Sequence, residues 1–211
     1  MGAAASRSSA FDGADPGYAE VLREATITLR GAAVPHVVFG SIATKALGRP
    51  RPDLPDEDID LMIRPPEAAT ARRALHEAGF VVEETDPSWI NQAKRGGVTV
   101  DLIFRTAGEM HLDQEMLDRA IPFEVSGVEV PLIPAEDFAV MKAVLYQEHR
   151  PFDWFDALAL ISRPQLDWEY LVRRALRHGA QRVLSLLIYA RSSGLTVPNE
   201  AIAELTRSVD R

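Results

Sequence analysis

Three aspartates interrupt segments that otherwise have the composition of buried strands. Asp58 and Asp60 alternate with isoleucine and leucine in "DIDLMI", and Asp101 stands within "GVTVDLIF". Because side chains alternate between the two faces of a strand, Asp58 and Asp60 should share one face. Two neighbouring ionised carboxylates repel each other unless a cation lies between them. Magnesium suits such a pair, since it takes one or two carboxylates together with water and substrate phosphates.

Together the three aspartates could hold metal ions for phosphoryl transfer. Entering from two strands, they could bridge two magnesium ions, or hold one ion and an attacking hydroxyl. A D-x-D pair alone is a weak signal, because solvated strand ends and turns also carry it. The register stays open as well, since Asp56 and Asp58 would share a face if the strand began earlier.

A glycine–serine pair supplies a second part of such a site. Gly40 and Ser41 lie between the apolar run "VPHVVF" and the helix-like "SIATKALG", in which Ser41 is expected to cap the helix. Backbone N–H groups at a helix N-terminus bind phosphate, and they can approach it closely at a glycine. The pair therefore predicts phosphate binding beside metal binding.

The other elements predict an α+β fold, a small mixed β-sheet with packed helices followed by a C-terminal helical region. We expect a disordered leader over 1–15, a core domain over 16–133 and a helical domain over 134–211. Hydrophobic periodicity and turn residues predict strands over 34–40, 58–63, 80–84 and 97–105, a hairpin over 122–133 turning at Ser126–Gly127, and helices over 16–33, 41–48, 65–80, 108–121, 134–149, 153–162, 166–179, 181–194 and 198–208.

Composition limits the classes of function. Hydrophobic residues make up 46% of the 211 residues, enough for a core, and no apolar stretch is long enough to span a membrane. The chain has no cysteine, so thiolate zinc sites and cysteine nucleophiles are excluded. A net charge of -8 argues against broad nucleic-acid binding. Without a recognisable secretory signal, we expect a cytoplasmic protein that has no membrane partner.

The order "FGS…DEDIDLMI…VTVDLIF" resembles the nucleotidyltransferase superfamily of DNA polymerase β, with its hG[GS]…D-h-D…D signature. The resemblance is strongest over residues 34–104. It implies that Gly40 and Ser41 bind the triphosphate, and that Asp58 and Asp60 are metal ligands. It also implies that Asp101 is a metal ligand or the general base toward the acceptor hydroxyl.

The loop before the carboxylates departs from the family pattern. Sixteen residues separate Ser41 from Asp58, more than is common in the family. Arg49 or Arg51 in this loop could contact phosphate or merely balance the acidic residues around them.

The segment "IPAEDFAVMKAVLYQEHRPFDWFDALALI" is similar to the one that follows the core in small prokaryotic nucleotidyltransferase-like proteins, including AbiEii-type toxins. By this resemblance Lys142 contacts the nucleotide phosphates, and Asp153 or Asp156 orients it. Independently, Lys142 falls within the apolar stripe of its helix, which also fits a lysine whose amine reaches water. Asp153 could instead cap the helix that follows it, so Asp156 is the better candidate.

These observations predict a magnesium-dependent nucleotidyltransferase that moves a nucleoside monophosphate (NMP) from a nucleoside triphosphate (NTP) to an acceptor hydroxyl and releases pyrophosphate. Two magnesium ions are expected, with Asp58, Asp60 and Asp101 as ligands. The acceptor stays open among a small molecule, a protein hydroxyl and a tRNA end, and the acidic balance favours the first two. The rival prediction is a non-catalytic nucleotide-binding protein of the same fold, in a two-component or toxin–antitoxin-like module.

Overall fold

The computed structural model describes residues 16–48, 58–125, 127–147, 149 and 151–209. In these ranges the chain forms a seven-stranded mixed sheet and α-helices, divided between two compact units. The predicted α+β class is confirmed. The expectations for the 1–15 leader, Arg49, Arg51, Asp56 and the Ser126 turn position lie outside the described residues.

The first unit takes in the described residues of 1–46, 50–105 and 111–133. A short 3₁₀ turn, Pro65–Glu67, precedes its third helix. In chain order the elements before residue 134 are α1 (Pro16–Gly31), β1 (His36–Val38), α2 (Gly40–Leu47), β2 (Asp58–Ile63), α3 (Ala68–Glu77), β3 (Val81–Asp86), β4 (Ile90–Arg95), β5 (Val98–Ile103), α4 (Gln114–Asp118), β6 (Ile121–Val125) and β7 (Val128–Leu132).

The strand order of the sheet is β3-β4-β5-β2-β1-β7-β6. Strands β2 and β5 pair in parallel, as do β1 and β7, and the other neighbours are antiparallel. Helix α1 packs against β5, and α3 packs against β3 and β4. Ile59, Leu61, Val100 and Leu102 are fully buried on one face of the two central strands. The alternation of side chains places the aspartates of β2 and β5 on the opposite face.

Two predictions from the sequence differ from this fold. Strand β4 was not predicted, because "INQAKR" lacks the β-branched and aromatic residues that mark strands. The helix predicted over 108–121 was wrong in extent, since only Gln114–Asp118 is α-helical. Asp113 accepts a hydrogen bond from the Met116 N–H at 2.8 Å, so it caps the helix and sets its start.

The second unit takes in the described residues of 47–49, 106–110 and 134–211. Its helices are α5 (Ala135–Leu145), α6 (Phe152–Ile161), α7 (Trp168–His178), α8 (Ala180–Ser192) and α9 (Asn199–Val209). Helix α5 is buried on almost every side, including its two first-turn acids, Glu136 and Asp137. Within the described ranges, every helix is too short or too polar to span a bilayer.

Candidate active site

The register of the sheet brings two of the predicted carboxylates side by side. Asp60 of β2 lies directly opposite Asp101 of β5, and Asp58 lies opposite Thr99 one step earlier on the same face. All three aspartates are half-buried, whereas the apolar residues between them are fully buried. The carboxylates therefore lie on the face of these two strands that is partly accessible to solvent.

Gly40 lies against this carboxylate row. The Phe39 N–H donates to the Asp60 carbonyl at 3.0 Å, which fixes the end of β1 beside β2. Gly40 follows with a φ of +58°, a conformation that favours glycine. A Cβ atom at this position would collide with the Asp60 carboxylate. The sequence suggested glycine for close approach of a phosphate, and the structure adds that only glycine leaves room for Asp60.

Ser41 does not cap its helix, so that prediction was wrong. Helix α2 begins at Gly40, and the Ser41 Oγ atom is buried with no hydrogen-bond partner among the described residues. A buried hydroxyl that makes no hydrogen bond costs free energy. The first turn of α2 therefore holds a hydroxyl that makes no hydrogen bond within the described residues.

Asp101 lies in an unfavourable electrostatic environment. Burial raises the pKa of its carboxyl, and the negative charge of Asp58 raises it further. A hydrogen bond from the Gln92 side-chain amide to Asp101 Oδ1, 2.9 Å long, and the charge of Lys94 both lower this pKa, but the raising effects dominate. An added cation on this face would stabilise the ionised form.

The donor set fits a magnesium ion in part. Among the described residues, no group of three or more histidine, cysteine, aspartate or glutamate side chains is arranged to hold a metal ion. Magnesium sites commonly use only one or two carboxylates and complete the shell with water and substrate phosphates. The oxygen chemistry of Asp58, Asp60 and Asp101 and the position of all three on one face of the sheet suit such a site.

The residues predicted from the second resemblance form a cluster within the second unit. Lys142 Nζ lies 2.8 Å from Asp153 Oδ1 and 3.1 Å from Asp156 Oδ2, and its side chain is only 14% exposed. Asp153 lies inside α6, which begins at Phe152, so the proposed capping role was wrong. Both carboxylates hold the lysine, and the structure does not single out Asp156.

Gln92 is the residue at this face that sequence reasoning missed. Its contact with Asp101 depends on β4, which the sequence did not predict. One signal was available, the pair Gly96–Gly97, since two adjacent glycines between extended segments favour a tight β-hairpin. Both have positive φ, +57° and +83°, and Arg95 pairs with Val98 across the turn.

A comparison with solved structures finds distant likenesses. The chain is 18% identical to the antibiotic-resistance factor ANT(2'')-Ia in solution, with a TM-score of 0.47 over 83% of this chain and 92% of that one. A crystal structure of ANT(2'')-Ia in complex with adenylyl-2''-tobramycin is 17% identical, with a TM-score of 0.49 over 83% of this chain and 98% of that one. An antigenic nucleotidyltransferase-like protein from Paracoccidioides brasiliensis is 15% identical, with a TM-score of 0.47 over 90% of this chain and 92% of that one. At these values the likenesses carry no conclusion about substrate.

A family model described as "Uncharacterised nucleotidyltransferase" matches residues 15–192, which is most of the chain. A comparison with curated proteins gave no match. The chain therefore belongs to this nucleotidyltransferase family. The resemblance drawn from the sequence and the predicted enzyme class are confirmed, and the reaction class is transfer of a nucleotidyl group.

Proposed function

We propose that this member of the nucleotidyltransferase family transfers an NMP from an NTP to an acceptor hydroxyl with magnesium, releasing pyrophosphate. Asp58 and Asp60 would hold magnesium, and Asp101 would share in this and help to activate the acceptor. Gly40 and Ser41 would bind the triphosphate. We also propose a cytoplasmic location, which is the location expected from the sequence.

One observation carries the proposal. Asp60 and Asp101 face each other across parallel strands, with Asp58 beside them, and the first turn of α2 approaches the same carboxylates through Gly40. A negatively charged row next to a helix N-terminus is suited to a ligand that brings both cations and phosphates. A metal–triphosphate complex has this combination of charges.

In the proposed reaction the acceptor hydroxyl oxygen forms a bond to the α-phosphorus, and the bond from that phosphorus to the β-phosphate bridging oxygen breaks. The hydroxyl proton would pass to Asp101, whose carboxylate lies on the same face of the sheet as Asp58 and Asp60. Bound magnesium would neutralise charge on the triphosphate and the leaving pyrophosphate. The Ser41 hydroxyl and the first N–H groups of α2 would hold phosphate oxygens.

Two further parts of the proposal concern the nucleotide phosphates and the acceptor. The contact of Lys142 with the nucleotide phosphates, oriented by Asp156, rests on the family resemblance. The acceptor stays open among a small molecule, a protein and a tRNA. The net charge of -8 favours a small molecule or a protein over a broadly bound nucleic acid.

The test is incubation of the purified protein with each α-labelled NTP, magnesium and a cell extract, followed by identification of the labelled species. We expect one class of acceptor to become labelled. Asp58→Asn and Asp60→Asn should each reduce the rate by more than the roughly 10- to 100-fold that loss of a supporting residue costs.

The control is Asp118→Asn, which removes an exposed carboxylate that accepts a hydrogen bond from Gln114 and lies on α4 rather than in the sheet. It should retain the rate. Full activity of either β2 variant would overturn the proposal. Magnesium-dependent NTP binding without label transfer to any acceptor would favour the non-catalytic rival instead.

A further inference from the structure

The Asp101 carboxylate has a partner on the neighbouring strand. Gln92 of β4 lies directly opposite Asp101 of β5, and its Nε2 atom donates to Asp101 Oδ1 at 2.9 Å. The two side chains share the face that carries Asp58 and Asp60. The Gln92 amide thus lies beside the carboxylates of β2 and β5, on the same face of the sheet.

One cation on this face is paired with another acid. Lys94 shares the Gln92 face of β4, but its Nζ atom binds Glu83 Oε2 on β3 at 3.0 Å. Within the described residues, Asp101 forms no ion pair, and its side-chain hydrogen bond comes from a neutral group. The sheet therefore fixes one oxygen of Asp101 without cancelling its charge.

A carboxylate needs such a support if it is to act in one orientation. Rotation about the terminal torsion of aspartate is broad, so an unsupported carboxylate samples many orientations. A hydrogen bond to Oδ1 narrows that range and leaves Oδ2 as the oxygen that Gln92 does not use. Small losses of such positioning lower reaction rates strongly.

We propose that Gln92 is a positioning residue, whose amide orients the Asp101 carboxylate for nucleotidyl transfer while leaving its negative charge available. This inference rests on the proposed function, because it assigns Asp101 a part in the reaction. Glu83 supports the arrangement by binding the Lys94 amine.

The test compares Gln92→Leu with Gln114→Leu. Gln114 also donates to an aspartate, Asp118 at 2.8 Å, but it is exposed on α4, so the pair is matched in chemistry. We expect Gln92→Leu to lower kcat by about 10- to 100-fold. The KM for the NTP, measured at saturating magnesium, should stay unchanged, because the proposal gives Gln92 no contact with the nucleotide. Gln114→Leu should leave both constants unchanged.

A double-mutant cycle separates positioning from general damage. In the Asp101→Asn background, Gln92→Leu should cost no further activity, because its effect acts through the Asp101 carboxylate. An equal loss in both backgrounds, or an unchanged kcat in Gln92→Leu, would overturn the proposal. Thermal unfolding of each variant identifies any loss that comes from misfolding.

A measurement of metal binding tests the role of Gln92 independently of nucleotidyl transfer. Titration of manganese followed by electron paramagnetic resonance should show binding weakened about 10- to 100-fold in Gln92→Leu and unchanged in Gln114→Leu. If the wild type binds manganese but transfers no NMP, the proposed function fails, and the manganese affinities alone decide on Gln92. A wild type that neither binds manganese nor transfers NMP overturns both.

Discussion

Two groups of aspartates show how differently this chain treats a carboxylate. In the second unit, Asp137 is completely buried, and it accepts hydrogen bonds from Arg174 Nε and, at 2.6 Å, from the Tyr170 hydroxyl. In the first unit, the half-buried Asp101 accepts a bond from the neutral Gln92 amide and lies beside Asp58. The buried carboxylate has its own cation from the chain, and the open one has an amide.

This difference distinguishes a carboxylate that stabilises the fold from a carboxylate that can bind a ligand. A buried ion pair such as Asp137–Arg174 must be complete within the chain, because an uncompensated buried charge is strongly destabilising. A carboxylate on an open face can stay ionised without a cation, at the cost of a raised pKa, until a ligand supplies one. In the Lys142 cluster, the lysine amine pairs with two nearly buried acids, Asp153 and Asp156.

The largest expected effect on stability comes from breaking the buried pair. Arg174→Met removes the guanidinium and leaves Asp137 buried with the Tyr170 hydroxyl. The free energy of unfolding should fall by about 3–5 kcal/mol, measured by urea denaturation. A loss below about 1 kcal/mol, the range of exposed pairs, would contradict the structural role assigned to this cluster.

Asp101→Asn should change the free energy of unfolding only slightly, in contrast to Arg174→Met, and so sharpens the comparison of the two carboxylates. The raised pKa means that ionisation of Asp101 destabilises the folded state, so the wild type loses this contribution to stability as the pH rises from 3.8 through the raised folded-state pKa. The variant does not titrate and should gain in relative stability across that window. Its change at neutral pH should stay within about 1 kcal/mol.

Urea denaturation of the wild type and Asp101→Asn at several pH values measures this difference. If Asp101→Asn were as destabilising as Arg174→Met, the two carboxylates would not differ in kind, and the comparison would fail.

The smallest expected effect concerns a buried histidine in the first unit. His36 is 6% exposed, its Nδ1 atom lies 3.0 Å from the Val34 carbonyl oxygen, and burial lowers its pKa from 6.5. The unfolded state therefore binds more protons than the folded state just below pH 6.5, and stability falls as the pH falls through that range.

Replacement of His36 by phenylalanine should remove this slope, whatever it does to absolute stability. His76→Gln, at an exposed position on α3, is the control and should keep the slope of the wild type. Identical slopes in the wild type and His36→Phe would show that another group causes the acid sensitivity.

Much of the first unit could be predicted from local patterns. "DIDLMI" gives the bounds of β2 correctly, because strong alternation and β-branched residues mark a strand locally. The hairpin of β6 and β7 was predicted for the same reason and is confirmed by its antiparallel register. The shared face of Asp58 and Asp60 follows from the period of a strand alone.

Contacts that depend on tertiary register could not be predicted in this way. Gln92 meets Asp101 only because β4 pairs with β5, and the composition of β4 hides it. Asp137 and Arg174 are 37 residues apart, and nothing in either helix indicates that they meet. The cap expected of Ser41 failed because the helix begins one residue earlier. The roles of Asp58, Asp60 and Asp101 in catalysis stay predictions.

One paired measurement tests most directly whether the open carboxylates serve a ligand and not the fold. NMP transfer from labelled NTP and the free energy of unfolding should be measured on the same preparations of wild type and Asp60→Asn. The account predicts that Asp60→Asn loses transfer while its free energy of unfolding stays within about 1 kcal/mol of the wild type. Retained transfer, or unfolding on the scale expected of Arg174→Met, would contradict it.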